Sequence, residues 1–271
     1  MYFSSLYDTY KLKFSVIYLN GNKFYPNILM SKSKHNNKTG LDKEDSLIIK
    51  SLEKIIGSSI PFDSDEFGYI PENNKVSGLY LVNANLDTIP EEICQLSELR
   101  TLDLLENSFQ SVPKEFSNLI KLEELTLSDN NFFTFPEPIF ELKKLKFLYL
   151  QENKINSLPD NFDNLLNLKS IDLSYNELSL LPPSFSLLNS LENLFLNDNH
   201  FKVFPGEILD LPCLEWLTLS DNSFLNSEME KDYDNRRDIE QFFNSFQTCV
   251  ECESIIEKTE KYCFNCGKKN L

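Results

Sequence analysis

The chain has 271 residues, 41% of them hydrophobic, and its 26 basic and 42 acidic side chains give a formal net charge of −16. That composition is ordinary for a folded soluble protein, and neither an apolar run of about 18 residues nor an apolar N-terminal stretch points to a membrane span or a secretory signal. Surplus carboxylate repels phosphate, which disfavours nucleic acid and anionic lipid as partners and favours basic protein surfaces, although the same charge also serves plain solubility.

Along the chain, Phe14, Val16 and Tyr18 alternate, Asn20-Gly21 supplies a turn and Phe24-Tyr25 a return, which predicts a hairpin in a small element over residues 1–30. Residues 31–44 read as a polar linker. Over 45–75, Asp45 opens a helical pattern with Ile48, Ile49, Leu52, Ile55 and Ile56 on one face and Gly57 as its stop, followed by a loop.

From Val76 to Cys213 the sequence repeats every 23 residues, six full times. Pro90, Pro113, Pro136, Pro159, Pro182 and Pro205 mark the period. One unit carries Leu145, Leu148, Leu150, Asn153, Ile155, Leu158, Pro159, Phe162 and Leu165, and the others follow the same template. Within it, Leu148 and Leu150 alternate as the inward residues of a short strand and Tyr149 points out. The Asn that follows, at 107, 130, 153, 176, 199 and 222, has the donors and acceptor to close the turn leaving the strand and to bind the adjacent unit.

A single unit buries too little apolar surface to offset the entropy of ordering its backbone, so the units must stack and the two ends need covers. Atypical end repeats agree: Ala84 stands where the first Asn belongs, and a seventh unit from Leu214 loses the pattern after Phe224, which bounds the array at 76–226. Downstream, over 227–247, Ile239, Phe242, Phe243 and Phe246 recur at helical spacing behind a charged stretch and predict a second capping helix.

These residues resemble the intracellular, typical 23-residue leucine-rich repeats of the Ras-group or scribble-like class, as in Asn153 to Pro159 and Asn176 to Pro182. The resemblance implies an α/β solenoid with short parallel strands on a concave face, an irregular or 3-10 convex side and helical caps. It also implies a protein-binding scaffold, in some members for small GTPases, and no catalytic residue.

In such a solenoid the strand positions between the leucines line the concave face. There Tyr80, Phe147, Tyr149, Phe195 and Trp216, the only tryptophan, are expected to face outward. Beside them runs an acidic column of Glu106, Asp129, Glu152, Asp198 and Asp221, interrupted by Tyr175. Aromatic anchors ringed by charge have the makeup of a protein interface, while strand propensity and cross-strand stacking are the competing explanation for the aromatics.

In the last segment, 248–271, Cys249-Val-Glu-Cys252 and Cys263-Phe-Asn-Cys266 supply four thiolates, the tetrahedral set of a structural Zn²⁺ site. Tyr262 to Lys269 and the ten-residue gap resemble short zinc-ribbon modules, with Glu253 where those carry Gly. A thiol redox pair, two disulfides or an unstructured tail are the alternatives. Cys94 and Cys213 lie five repeats apart, about 24 Å at one strand spacing per repeat, too far to bridge. Free thiols and a thiolate site fit a reducing cytoplasm.

The only histidines, His35 and His200, fall in solvated positions, and no phosphate loop or nucleophile motif occurs, so an enzyme is not expected. The leading expectation is a monomeric, non-enzymatic scaffold that binds a folded protein on its concave face. The alternative is a zinc-ribbon adaptor associated with nucleic acid or a nucleic-acid-bound complex.

Overall fold

The computed structural model describes residues 17–19, 22–24, 40–62, 64, 66–224, 232–248 and 255–257. The chain divides into two units, Met1–Gly40 and Leu41–Leu271. In the first, β1 (Ile17–Leu19) pairs antiparallel with β2 (Asn22–Phe24), Leu19 opposite Asn22.

The second unit begins with helix α1 (Lys43–Ile56), two residues earlier than the apolar pattern suggests. Asp42 is its N-cap, accepting from the Asp45 amide, and Gly57 ends it with φ 78°. The carboxyl of Asp45 is buried and accepts the Val76 amide at 2.7 Å, so this residue serves a tertiary contact and leaves the cap to its neighbour. Ile48, Ile49 and Leu52 enter the core, whereas Ile55 is 47% exposed and lies off the buried face.

A hairpin of β3 (Phe67–Glu72) and β4 (Lys75–Leu81) follows, where the sequence suggested a loop. From β4 onward each repeat contributes one parallel strand: β5 (Thr101–Asp103), β6 (Glu124–Thr126), β7 (Phe147–Tyr149), β8 (Ser170–Asp172), β9 (Asn193–Phe195) and β10 (Trp216–Thr218). Their register aligns Leu79, Leu102, Leu125, Leu148, Ile171, Leu194 and Leu217 in one fully buried row. Antiparallel strands close both edges of this nine-stranded sheet, β3 at one and β11 (Asp232–Tyr233) at the other. The parallel array thus ends on a short antiparallel strand at each side, β3 and β11 being the edge strands of the sheet.

Across the core from the sheet, each repeat returns through a short 3-10 helix. Pro90, Pro113, Pro136, Pro182 and Pro205 stand directly before one, and the Pro90 carbonyl, for example, accepts from the Ile93 amide. A fixed φ near −65° and no N–H to satisfy suit proline to that position. After Pro159 the helix starts two residues later, at Phe162, with Asn161 before it. Between the layers a chain of rings runs through Phe135, Phe140, Phe162 and Phe185 with centroids 4.8–5.3 Å apart.

The asparagines tie one repeat to the next. Asn153 Oδ1 accepts the Phe132 amide at 3.0 Å, and its Nδ2 donates to the carbonyls of Leu127 and Leu150 at 3.0 Å. The same pattern recurs at Asn107, Asn130, Asn176, Asn199 and Asn222. All six amides saturate backbone groups that a leucine core would otherwise strand.

After the last repeat, Asp232 replaces the missing next unit: its carboxylate accepts from the amides of Leu219 and Ser220 and from the Ser220 hydroxyl. Helix α2 (Arg236–Phe243) then packs Ile239 and Phe242 inward, Phe242 against Phe204 and Tyr233. Phe246 leaves the expected helical series, because β12 (Phe246–Thr248) pairs antiparallel with β13 (Ile255–Glu257).

Candidate interaction surface

The strand residues that alternate with the buried leucines form the strand face of the solenoid. Its most regular feature is a column of left-handed residues: Asn83, Glu106, Asp129, Glu152, Tyr175, Asp198 and Asp221, with φ of 51–56°. Here the chain must turn out of the strand, and the amide of each residue from Asn83 to Asp198 reaches the next repeat, as from Glu152 to the Ser174 carbonyl at 3.1 Å. Asn and Asp tolerate this conformation, whereas Glu and Tyr adopt it at a cost of roughly 1 kcal/mol. Backbone preference therefore explains the aspartates of the acidic column and leaves Glu106, Glu152 and Tyr175 to be explained by what their side chains do.

Tyr175 stands among the carboxylates it interrupts. Its phenol donates to Asp198, and partial burial, with Asp198, Asp221 and Glu152 nearby, pushes its pKa up to about 12. The phenol stays neutral and serves as a donor.

The aromatics do not form one continuous presented surface. Tyr80 is 1% exposed and Tyr149 4%, so both are withdrawn from the set expected to face a partner. Gly78 leaves room for this: a Cβ there would lie 3.1 Å from the Tyr80 ring and 3.3 Å from its hydroxyl, so the ring folds back over a strand position without a side chain. Phe147, Tyr175, Phe195 and Trp216 remain half-buried and accessible. Phe195 and Trp216, on adjacent strands, form a tilted pair with centroids 6.5 Å apart.

Two carboxyls on this face are buried. Burial pushes Asp103 up to about 7, with the Leu105 amide as its hydrogen-bond donor among the described residues. Asp172, in the same column, reaches about 6, held lower by the amide and hydroxyl of Ser174. Sequence patterning reads neither, because a single Asp between leucines resembles any solvated strand residue. Gln151 is also buried: its Oε1 accepts from Ser128 at 2.6 Å, while its Nε2 has no acceptor among the described residues.

The cations of the face are already engaged: Arg100 with Glu72 at 3.9 Å, Lys146 with Glu123 at 2.6 Å and Lys169 with Glu192 at 2.7 Å. Away from it, Asp42, Glu44 and Asp45 converge on the Lys75 ammonium at 2.8–3.0 Å, which occupies the centre between the three carboxylates. His200 is exposed. Cys249, Cys252, Cys263 and Cys266, like His35, lie outside the described residues; β12 and β13, with Thr248 opposite Ile255, flank the first cysteine pair. Among the described residues no helix is long and apolar enough to cross a membrane.

Leucine rich repeat family models match residues 74–132, 143–201 and 167–224. A leucine-rich repeat protein of Leptospira interrogans shares 30% identity over 70% of this chain and 48% of its own, with a TM-score of 0.56. The structure of PEPR1–AtPEP1 shares 28% identity over 66% of this chain and 28% of its own, with a TM-score of 0.55. The ectodomain of the plant membrane receptor kinase GASSHO1/SCHENGEN3 from Arabidopsis thaliana, in complex with Casparian strip integrity factor 2, shares 26% over 56% and 19%, with a TM-score of 0.50. This chain thus spans less than half the length of each, and no curated protein matches it. Matches in register over more than half the chain, on a parallel sheet with one strand and one asparagine per repeat, show that it belongs to the leucine-rich repeat family.

Proposed function

We propose that this chain is a protein-interaction scaffold that takes a partner protein on its concave strand face. The observation that carries this reading is the set of half-buried aromatics, Phe147, Phe195 and Trp216, on a regular sheet whose core does not need them. Large rings with limited side-chain entropy are the usual energetic centres of protein interfaces. Leucine-rich repeat folds are typically non-enzymatic interaction scaffolds, and one structural neighbour is a receptor ectodomain in complex with a named factor. Within this reading the chain is a cytoplasmic monomer, α1 and α2 close the ends of the solenoid, and a small GTPase is the folded partner that the Ras-group resemblance supplies.

The test is capture of a partner from native lysate by the intact chain and by a Phe147→Ala, Phe195→Ala, Trp216→Ala variant of unchanged circular dichroism. Loss of capture by the variant is expected; undiminished capture overturns the reading.

The four cysteines are assigned a structural Zn²⁺. Support comes from the sequence, two C-x-x-C pairs in a segment too poor in apolar groups to fold without a staple. Cys249, Cys252, Cys263 and Cys266 would hold the ion, with no open position for catalysis. Metal analysis of the purified chain should give one zinc per molecule, and a value well below one ends the assignment. The nucleic-acid adaptor reading meets 23 acidic against 9 basic groups over residues 76–224, and it predicts salt-sensitive RNA or DNA binding that this charge opposes.

A further inference from the structure

We infer that the outer face of α1 is a second docking surface, made of residues the strand face does not include, and that it takes an acidic amphipathic helix of a partner protein.

Helix α1 has two faces. One, with Asp45, Ile48, Ile49 and Leu52, is buried. On the opposite side Lys43, Leu47, Lys50 and Lys54 follow at i, i+4, i+7 and i+11, all exposed, which makes one ridge about 16 Å long at ~1.5 Å per residue. Leu47 is 57% exposed, and Ile55, about two turns further along, is 47% exposed. Single exposed apolar residues are ordinary on a surface, but these two stand among lysines whose charge is not spent.

The charges of the helix are sorted by face. Its carboxylates are turned to the chain's own groups: Asp42, the cap, and Glu44 hold Lys75 at 2.8 and 3.0 Å, Asp45 accepts the Val76 amide, and Glu53 accepts the Ile60 amide at 3.0 Å. Glu92, from the first 3-10 helix, accepts from the Ser51 hydroxyl at 3.1 Å. Among the described residues no ion pair engages Lys43, Lys50 or Lys54, the three lysines of α1. The sequence before the helix continues the trend, with six lysines and no aspartate or glutamate from Thr9 to Leu41. Solubility does not account for a basic ridge here, because the acidic repeats already give the chain a net charge of −16.

Charge and shape together select the occupant. A positive ridge attracts carboxylate or phosphate. A shallow groove runs beside it, lined by Leu47, Lys50, Lys54 and Ser58, and gives an incoming apolar side chain a wall to pack on. The phosphates of a nucleic acid would leave Leu47 and Ile55 unused, and two apolar side chains are too few to hold a bilayer, whose affinity scales with buried apolar area. A helix with carboxylates and leucines at the same spacing uses all of them, laying its own ridge along the groove. Exposed ion pairs are individually weak, so the three lysines and Leu47 act as a set.

The full chain is titrated into a dye-labelled, end-blocked peptide of three heptads, each Glu-Ala-Ala-Glu-Leu-Ala-Ala, and fluorescence anisotropy is read. Counterparts with glutamine for glutamate and alanine for leucine run alongside. A saturable rise is expected with the parent peptide and none with the glutamine peptide. Affinity should fall at least tenfold in a Lys43→Gln, Lys50→Gln, Lys54→Gln variant, roughly threefold in Leu47→Ser, and several-fold on raising salt from ~50 to ~300 mM. No saturable rise, equal affinity of the triple variant, or equal affinity for the alanine peptide overturns the inference. Phosphatidylserine vesicles and a short DNA duplex serve as competitors, and displacement of the peptide by either at a lower concentration assigns the ridge to a phosphate surface and overturns it too. The Phe147→Ala, Phe195→Ala, Trp216→Ala variant should bind the peptide like the parent; binding that follows those rings instead places the peptide on the strand face and sinks the assignment. Unchanged circular dichroism, expected because all four ridge positions are exposed, separates lost binding from lost fold.

Discussion

The two halves of the strand face have one architecture and opposite surfaces. Around β4 and β5 the side chains turn in on the protein: Tyr80 lies over Gly78, Asp103 is buried, and Arg100 pairs with Glu72. Around β9 and β10 they stand out: Phe195 and Trp216 are half-buried, and the flanking Asp198, Asp221 and Glu215 have no cation of the described chain against them. The strands, register and asparagine ladder are the same in both. What differs is whether a neighbouring strand position leaves room for a ring to lie down and whether a carboxylate has a nearby amine. A solenoid can thus hold its fold constant and write its surface repeat by repeat.

The largest effect that would sharpen this contrast is a pH dependence. Asp103, folded, titrates at about 7 because burial disfavours its charge, whereas in the unfolded chain it titrates near the ordinary carboxylate value. Between those two values the folded state holds a proton that the unfolded state has lost, so stability falls as pH rises through the window and levels off above it. At about 1.4 kcal/mol per unit, burial costs the neutral-pH protein up to roughly 4 kcal/mol at this residue. Asp103→Asn keeps the oxygen that accepts the Leu105 amide and removes the charge. The urea midpoint should fall from pH 4.5 to pH 8 in the parent and fall less steeply in the variant, where Asp172, at about 6, still titrates, with the variant more stable at pH 8. A parent-like slope in the variant would mean the carboxyl is solvated and the inward character of this half is wrong.

Next in size is Gly78→Val. A Cβ at this position lies 3.1 Å from the Tyr80 ring, so the branched side chain must lift the ring off the strand. A loss of ~1–3 kcal/mol, the usual cost of overpacking, is expected in thermal or urea unfolding. Tyr80 should also become accessible to nitration, making the N-terminal half resemble the C-terminal one. An unaltered Tyr80 reactivity would show that something other than Gly78 holds it down.

Much of the fold was legible in sequence, because the repeat positions do one job each and do it many times. Leu148, Asn153 and Pro159 have equivalents at fixed intervals, and periodicity reports what is repeated. It is silent on what happens once. Asp232 ending the backbone ladder, Asp45 reaching Val76, and the β3 strand edging the sheet each depend on contacts outside the 23-residue rule. The candidate surface was legible as columns and not as exposure. Sequence alternation places Tyr80 and Trp216 on the same face, but the fate of each ring depends on its neighbours, which no pattern of one column encodes. The left-handed φ shared by Glu106, Glu152 and Tyr175 was likewise hidden, since neither residue type advertises that conformation.

The smallest expected effect separates stability from binding along the charge rows. Lys169 holds Glu192 at 2.7 Å and Lys121 holds Glu98 at 2.6 Å, each pair partly exposed and about equally so. Lys169→Gln and Lys121→Gln should therefore each lower stability by less than about 1 kcal/mol, as exposed pairs do. Their consequences for a partner on the strand face differ, because Glu192 immediately precedes the strand residue Asn193, whereas Glu98 lies three residues before Thr101. Freed of Lys169, Glu192 adds a carboxylate to the face, and capture of a partner with a basic surface should rise by about twofold at low salt, whereas Lys121→Gln should leave it unchanged. Equal gains from both substitutions would mean that net charge alone sets the attraction, and the two halves of the face would then be electrostatically the same surface.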